Sequence, residues 1–371
     1  MKKLPIIIWL SALALVLSGC ALFPSRPRSE ELAVVQAMGV DSERGAVALS
    51  LVTAADSSRG EGPVRMSGSG ATIPAAEEDV ASRAAEEAVF CAHTKAVLLG
   101  EASAREDVEG VLRYVCRSRE LRMDVPLLIV RDGSAAEALL ETGDERVGAA
   151  ELLGALSAAA QAEDGEALPS VGRIEGALAE NRCALAAALR CVRSSEQKGA
   201  GEAGALTLAR AGWAVIKGGA LIGFVEEEDA PAVDLLRGAK GVHTFLVSDR
   251  AGRRVTLRTA PGKTELSAAY GEDGAPEAIE LTVRLTASVA AIDGAEGAAD
   301  GSDPDELSAA LERELLRRAG KVLRLERELG ADFLLLRERT GLALSDAAGD
   351  LPVRLSVSVR VSHSGDVRDG R

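Results

Sequence analysis

The chain has 371 residues, of which 47% are hydrophobic, 27% charged and 2% aromatic, and its formal net charge is −14. That length accommodates two or three domains, and the apolar share excludes a disordered chain. The acidic balance excludes a basic nucleic-acid face, and the scarcity of aromatic rings excludes a platform for stacking bases.

Lys2 and Lys3 precede an apolar run over residues 4–16, and Leu17-Ser18-Gly19-Cys20 follows. A charged start, a short apolar run and small residues at the cut describe a secretory signal peptide over 1–19. The run is shorter than the roughly 20 residues a spanning helix needs. No second run of spanning length follows Val16. The tetrad resembles a bacterial lipobox, whose cysteine thiol takes a diacylglycerol and becomes the mature N-terminus. Cys20 is therefore the expected lipidation site, and residues 20–30, with Pro24 and Pro27, the lipidated tether. A plain signal peptide, or an anchor helix with a chance cysteine, is the alternative. Two acyl chains anchor stably where one binds marginally. Cleavage removes both lysines, so the mature chain is more acidic still. Anionic headgroups repel such a body, which is expected to stand off the membrane on its tether.

Residues 31–40 read as a strand ended by Gly39 and Asp41, and 46–53 as a second, so a hairpin is expected. Residues 57–63 are a polar loop. Residues 75–89 are predicted helical, with acidic residues near the start that suit the dipole, and 96–99 form a short apolar strand. Val108, Val111, Leu112, Val115 and Cys116 share one face of a helix predicted over 106–118. Residues 125–130 read as a buried strand closed by Asp132-Gly133, and 134–140 begin another helix. The Ala/Leu-rich stretch 148–192 is predicted mostly helical, interrupted around Pro169. The alternation describes an N-terminal mixed α/β domain over 31–193.

The polar segment 194–204 is the predicted linker. Two apolar segments around Gly218-Gly219 then signal a hairpin. An acidic run, Glu226 to Asp229, leads into a short helix ending at Gly238. Residues 255–259 and 264–270 around Pro261-Gly262 predict a second hairpin, which gives a small hairpin-rich middle domain over 205–270. Leu281, Val283, Leu285 and Val289 alternate with polar residues as in a half-buried strand. Asp303-Pro304-Asp305-Glu306 opens a helix whose Leu307, Leu311, Leu315, Ala319 and Val322 repeat near 3.6 residues. Gly320 could bend this helix and Gly330 stops it. Residues 353–361 alternate Val/Leu with Arg/Ser, a strand expected to be antiparallel with one wet face. These elements form a C-terminal domain over 271–371, with a long helix and antiparallel strands. The fold class is mixed α/β (α+β), several small mixed sheets packed with helices.

Few residues suggest chemistry. His93, His243 and His363 follow no metal-ligand spacing. Gly262-Lys263-Thr264 ends like a phosphate loop, but Leu257 stands where the earlier glycine belongs, and a hairpin turn accounts for it better. Gly68-Ser69-Gly70 lacks the spacing of a nucleophile elbow. Glu226, Glu227, Glu228 and Asp229 are consecutive, so their side chains diverge rather than converge on a cation; the helix dipole and solvation explain them. Asp300, Asp303 and Asp305 lack the spacing of a calcium loop. Arg117, Arg119 and Arg122 cluster at a helix end, either as dipole complement with surface ion pairs or as a partner-binding patch. Trp213 is the single indole left once Trp9 is cleaved and is a candidate partner contact. Cys183 and Cys191, on a predicted helix, would stand about 12 Å apart, beyond the roughly 7 Å limit for a disulfide. Cys91 and Cys116 are open to a bridge or to free core thiols. No catalytic, cofactor-binding or metal-binding residue emerges.

In order along the chain, several segments together resemble the spore germination protein C family, the Ger(x)C lipoproteins. They are Met38-Gly39-Val40-Asp41, Gly70-Ala71-Thr72-Ile73, His93-Thr94-Lys95 through Glu101, Arg117-Ser118-Arg119-Glu120-Leu121-Arg122, Gly212-Trp213 through Gly223-Phe224, and Gly330-Ala331-Asp332-Phe333. With the lipobox they cover nearly the whole mature chain. Leu334-Leu335-Leu336 departs from the pattern, where members often carry a glycine and an aromatic. The resemblance implies a mixed α/β fold without enzymatic activity. It implies a subunit of a nutrient germinant receptor, partnered by two integral-membrane subunits and lipid-anchored through Cys20 on the outer face of the spore's inner membrane. No ligand-pocket residue transfers with it. A solute-binding lipoprotein of a transporter is the alternative, disfavoured by the β-rich C-terminal end. An exported hydrolase lacks a convergent catalytic set.

Overall fold

The structure, a computed structural model, describes residues 32–43, 45–53, 62–84, 88–141, 151, 153–155, 158, 168–193, 206–292, 303–342 and 351–362. Cys20, the tether, segment 194–204 and His363 lie outside them.

The first unit is a mixed sheet of β1 (Leu32–Glu43), β2 (Ala46–Thr53), β3 (Arg65–Gly70), β4 (Ala88–Phe90), β5 (Ala96–Gly100), β6 (Leu127–Val130), β7 (Cys183–Arg193), β8 (Leu206–Lys217) and β9 (Ala220–Val225). The order is β3-β2-β1-β5-β6-β7-β8-β9, with β4 beside the start of β1. The centre, β1-β5-β6-β7, is parallel, and antiparallel hairpins extend both sides. Parallel neighbours need crossovers, which helices supply. Helix α1 (Ile73–Arg83) packs on β2 and β3; α2 (Glu101–Glu106) and α3 (Val108–Arg117) join β5 to β6, and α4 (Val171–Asn181) leads into β7. All residues of β5 and β6 are buried, as befits strands covered on both faces.

The second unit holds β10 (Thr244–Ser248), β11 (Arg254–Thr259), β12 (Lys263–Tyr270), β13 (Pro276–Ile292) and β14 (Val353–Ser362). Helix α5 (Ala230–Arg237) connects the units, α6 (Pro304–Leu329) joins β13 to β14, and α7 (Leu336–Thr340) follows it. The Asp303 side chain caps α6 by accepting from the Asp305 N–H, and Gly330, at φ +59°, closes it in the left-handed region. Leu307, Leu311, Leu315, Ala319 and Val322 are its buried stripe.

One face of the first sheet packs Val97, Leu99 and Ile129 against α3 and α4. Its other face carries Leu98, Leu128, Leu185 and Val215 into the same core as Phe245, Leu281 and Leu311 of the second unit. The units therefore share a core.

The expected mixed α+β class is what the structure has. Four expectations are corrected. Residues 183–192 form β7, not a helix; lying between β6 and β8, the strand is buried on both faces over most of its length, which erases the period of two. Strands β7 and β8 pair from Cys183↔Lys217 to Arg193↔Leu206, so 194–204 joins two legs of one sheet and is no domain boundary; 206–225 belongs to the first unit and 244–270 to the second. Strands β11 and β12 form no hairpin: both run antiparallel to β13, at Val255↔Ile292 and Lys263↔Arg284, as one strand interrupted at Pro261-Gly262. Strand β14 is parallel to β13, because α6 carries the chain back to the starting end, although its wet face stands. In detail, the helix expected over 75–89 is α1, which ends at Arg83 before β4. The helix expected over 106–118 is split at Asp107, whose carboxylate caps α3 by accepting from the Gly110 N–H at 2.8 Å.

Candidate functional site

The β7–β8 ladder jumps from Ala187↔Trp213 to Leu189↔Arg210. One residue of β7 thus faces two of β8, a bulge at Ala211-Gly212. Gly212 has φ +93°, and a Cβ there would lie 2.0 Å from the Val225 carbonyl oxygen, so only glycine fits. In a regular strand residues three apart point to opposite faces; the bulge puts Arg210 and Trp213 on the same face. The Arg210 guanidinium lies over the indole, 4.9 Å from the ring centroid.

Trp213 is only 9% exposed, and its Nε1 is buried without a hydrogen-bond partner, as is Arg210 Nε. The nearest anion to that guanidinium is Glu227, at 4.0 Å. Both side chains line a cavity of about 250 Å³ between β7, β8, α4, α5 and the segment after α6. Trp213 is therefore no surface partner contact: the bulge turns it inward, which corrects the sequence expectation. Arg117, Arg119 and Arg122 are exposed. Arg122 donates from Nε to Asp124 at 2.9 Å. Arg117 borders a groove between α3 and α4 together with Arg113 and Arg182. The structure thus separates the arginines from the tryptophan.

The acidic run is paired rather than simply solvated. Glu226 accepts two hydrogen bonds from Arg131, at 2.9 and 2.8 Å, and that guanidinium holds its carboxyl below the ordinary value. Glu228 takes Lys321 of α6 at 2.6 Å, and Asp229 the same ammonium at 3.4 Å. These pairs tie the first unit, α5 and α6 together. Among the described residues no group of His, Cys, Asp and Glu is placed to hold a metal.

Among the described residues no disulfide joins Cys91, Cys116, Cys183 or Cys191. Burial, reinforced by nearby carboxylates, pushes the Cys91 and Cys183 thiols up to about 12, so neither is a ready nucleophile.

Other buried charges are structural. Both Asp41 oxygens accept backbone N–H groups, from Ala135 at 2.9 Å and Ala136 at 2.8 Å, while burial raises its pKa. A Cβ on Gly100 would sit 2.1 Å from Asp41 Oδ1, and one on Gly39 2.9 Å from Leu139. Met38-Gly39-Val40-Asp41 is thus a packing corner. Asp332 does the same for α7, accepting from Leu336 N at 2.7 Å and Arg337 N at 3.0 Å. Glu326 Oε1 accepts from Leu334 N at 2.9 Å, and burial raises the Glu326 carboxyl to about 8. Sequence reading missed Arg210, Asp41 and Glu326. For Arg210 the available signal was Gly212 beside an indole; for Asp41 it was a carboxylate ending an apolar strand.

A family model, the spore germination protein N-terminal domain, matches residues 26–163. The match covers the N-terminal part of the chain. Among solved structures, the crystal structure of the GerBC protein is similar, with a TM-score of 0.54 and 16% identity over 87% of this chain and 96% of that one; the likeness is one of fold. None of the curated proteins matches.

The matched range holds the Asp41 corner, β5 and the exposed arginines. The Trp213 cavity lies beyond it. At the departure Leu334-Leu335-Leu336, Leu335 has φ +59°, the left-handed conformation that costs glycine nothing.

Proposed function

We propose that this protein is a lipid-anchored, non-enzymatic subunit of a spore germinant receptor, held at the outer face of the spore's inner membrane beside two integral-membrane subunits. The family match over residues 26–163 carries the reading. Three further observations support it: the GerBC-like fold over 87% of the chain, the lipobox ending at Cys20 and the net charge of −14. Among the described residues no helix is long and apolar enough to cross a membrane; the attachment in this reading is the lipid on Cys20. The solute-binding alternative requires two similar α/β lobes, whereas the two units here differ in strand number, topology and helix placement.

Deleting the protein is expected to abolish nutrient-triggered germination while leaving spores viable by a nutrient-independent route. An unchanged nutrient response overturns the reading. Cys20→Ala is expected to move most of the protein from the membrane to the soluble fraction of spore lysates. A variant that stays bound and fully functional makes the lipid dispensable.

A further inference from the structure

We propose that the cavity beside Trp213 is a binding site for a small organic anion with an apolar body, a monocarboxylate of about eight heavy atoms. It goes beyond the receptor reading and does not depend on it.

The cavity begins with two orphan donors. Trp213 Nε1 and Arg210 Nε are buried and have no hydrogen-bond partner. A buried donor without an acceptor costs about 1–3 kcal/mol, so such pairs are rare in folded proteins. Here both belong to one bulge, which requires Gly212 at φ +93°, and both line the same cavity. A carboxylate is an acceptor-only group that can serve two donors at once. The lining carries Arg173, Arg210 and Arg237 beside Asp234, and Glu227 lies 4.0 Å from Arg210 Nε. Desolvated next to an indole face, the guanidinium is a stronger partner for an anion than it would be in water.

The remaining wall is apolar, supplied by Leu168, Ile174, Leu185 and Phe333. These suit a hydrocarbon chain or ring. The volume, about 250 Å³, equals roughly eight waters at about 30 Å³ each. That is a small metabolite's space, below the usual range for large cofactors. The walls come from the first unit, from the connecting helix α5 and from the segment after α6, so occupancy would bridge these three.

The test uses the full-length chain in mild detergent, with Trp9→Phe so that Trp213 is the sole indole. Hexanoate is the probe; hexanamide removes its charge, and acetate its apolar body. Hexanoate is expected to shift the Trp213 indole N–H resonance saturably and to raise the thermal midpoint, with an affinity at least about tenfold above that for hexanamide or acetate. Trp213→Phe keeps the ring and loses the donor. Together with Arg210→Gln it is expected to weaken hexanoate binding about tenfold at unchanged thermal stability. No saturable shift, equal binding of hexanamide, equal binding of acetate, or undiminished binding by well-folded Trp213→Phe each overturns the proposal. Should a variant fail to fold, the comparison of hexanoate with hexanamide on the parent protein decides alone.

Discussion

Glu326 shows how one residue's surroundings set a pH response. Where α6 ends, its carboxyl accepts from the Leu334 N–H and faces Asp332, and burial is the largest of the effects that hold a proton on it up to about pH 8. The unfolded chain releases that proton near 4.5. Between those values the native state binds more protons than the unfolded one, so stability falls as pH rises. The contribution is complete below about 4.5 and is lost through about 8. Glu314, held down at about 2 by Arg317 and Arg318, changes only at lower pH and leaves this window alone. Asp41 and Glu77, also raised by burial, add slope of the same sign. The thermal midpoint is therefore expected to fall from pH 5 to pH 9. Glu326→Gln, whose amide still accepts from Leu334 N and can donate to Asp332, is expected to flatten that fall. Melting curves at three pH values check it, and an undiminished slope in the variant assigns the effect elsewhere. Nothing in the sequence marks this residue, which sits among the alternating charges of an amphipathic helix. The return of the chain after α6 brings the Leu334 N–H and Asp332 onto it.

At the scale of elements, local signals read well and relational ones did not. The alternation in β13 and β14, the Gly218-Gly219 hairpin of β8 and β9, and the Asp303 and Gly330 caps of α6 all depend on neighbours in sequence. The misread features depend on neighbours in space. Strand β7 is apolar on both sides because helices cover one of its faces and the second unit the other, β14 is parallel because of where α6 ends, and Pro261-Gly262 interrupts one strand instead of turning between two. At that break, a Cβ on Gly262 would meet Leu285 at 2.1 Å, since β13 passes directly beside it. The β8 bulge allows the same distinction to be measured. Gly218 has φ +60° with open space around its Cβ position, whereas Gly212 combines φ +93° with the Val225 oxygen at 2.0 Å. Gly218→Ala is expected to cost only the backbone term, about 1 kcal/mol. Gly212→Ala adds a backbone clash and is expected to cost on the order of 3 kcal/mol or more. Denaturant unfolding of the two variants compares them directly; equal losses would mean that close approach at the bulge carries no energy.

For the whole molecule the decisive feature is the core that crosses from one sheet to the other. Leu98, Leu128, Leu185 and Val215 of the first unit join Phe245, Leu257, Leu281 and Leu311 of the second in one buried cluster. The surface ties follow the same path, with Arg131 on Glu226, Lys321 on Glu228 and Lys217 donating to the Gly330 carbonyl at 2.7 Å. Exposed ion pairs contribute little, typically below about 1 kcal/mol each. Each buried Leu or Phe contributes roughly 1.5–3 kcal/mol. The apolar contact therefore decides how the units unfold. The full-length protein is expected to melt in one transition, its calorimetric and van't Hoff enthalpies equal. A chain ending after Val225 keeps every strand of the first sheet but exposes the face bearing Leu185 and Val215. It is expected to bind a hydrophobic dye and to lose sharp melting. Two separate transitions in the parent, or a compact fragment that ignores the dye, would show that the units are independent domains.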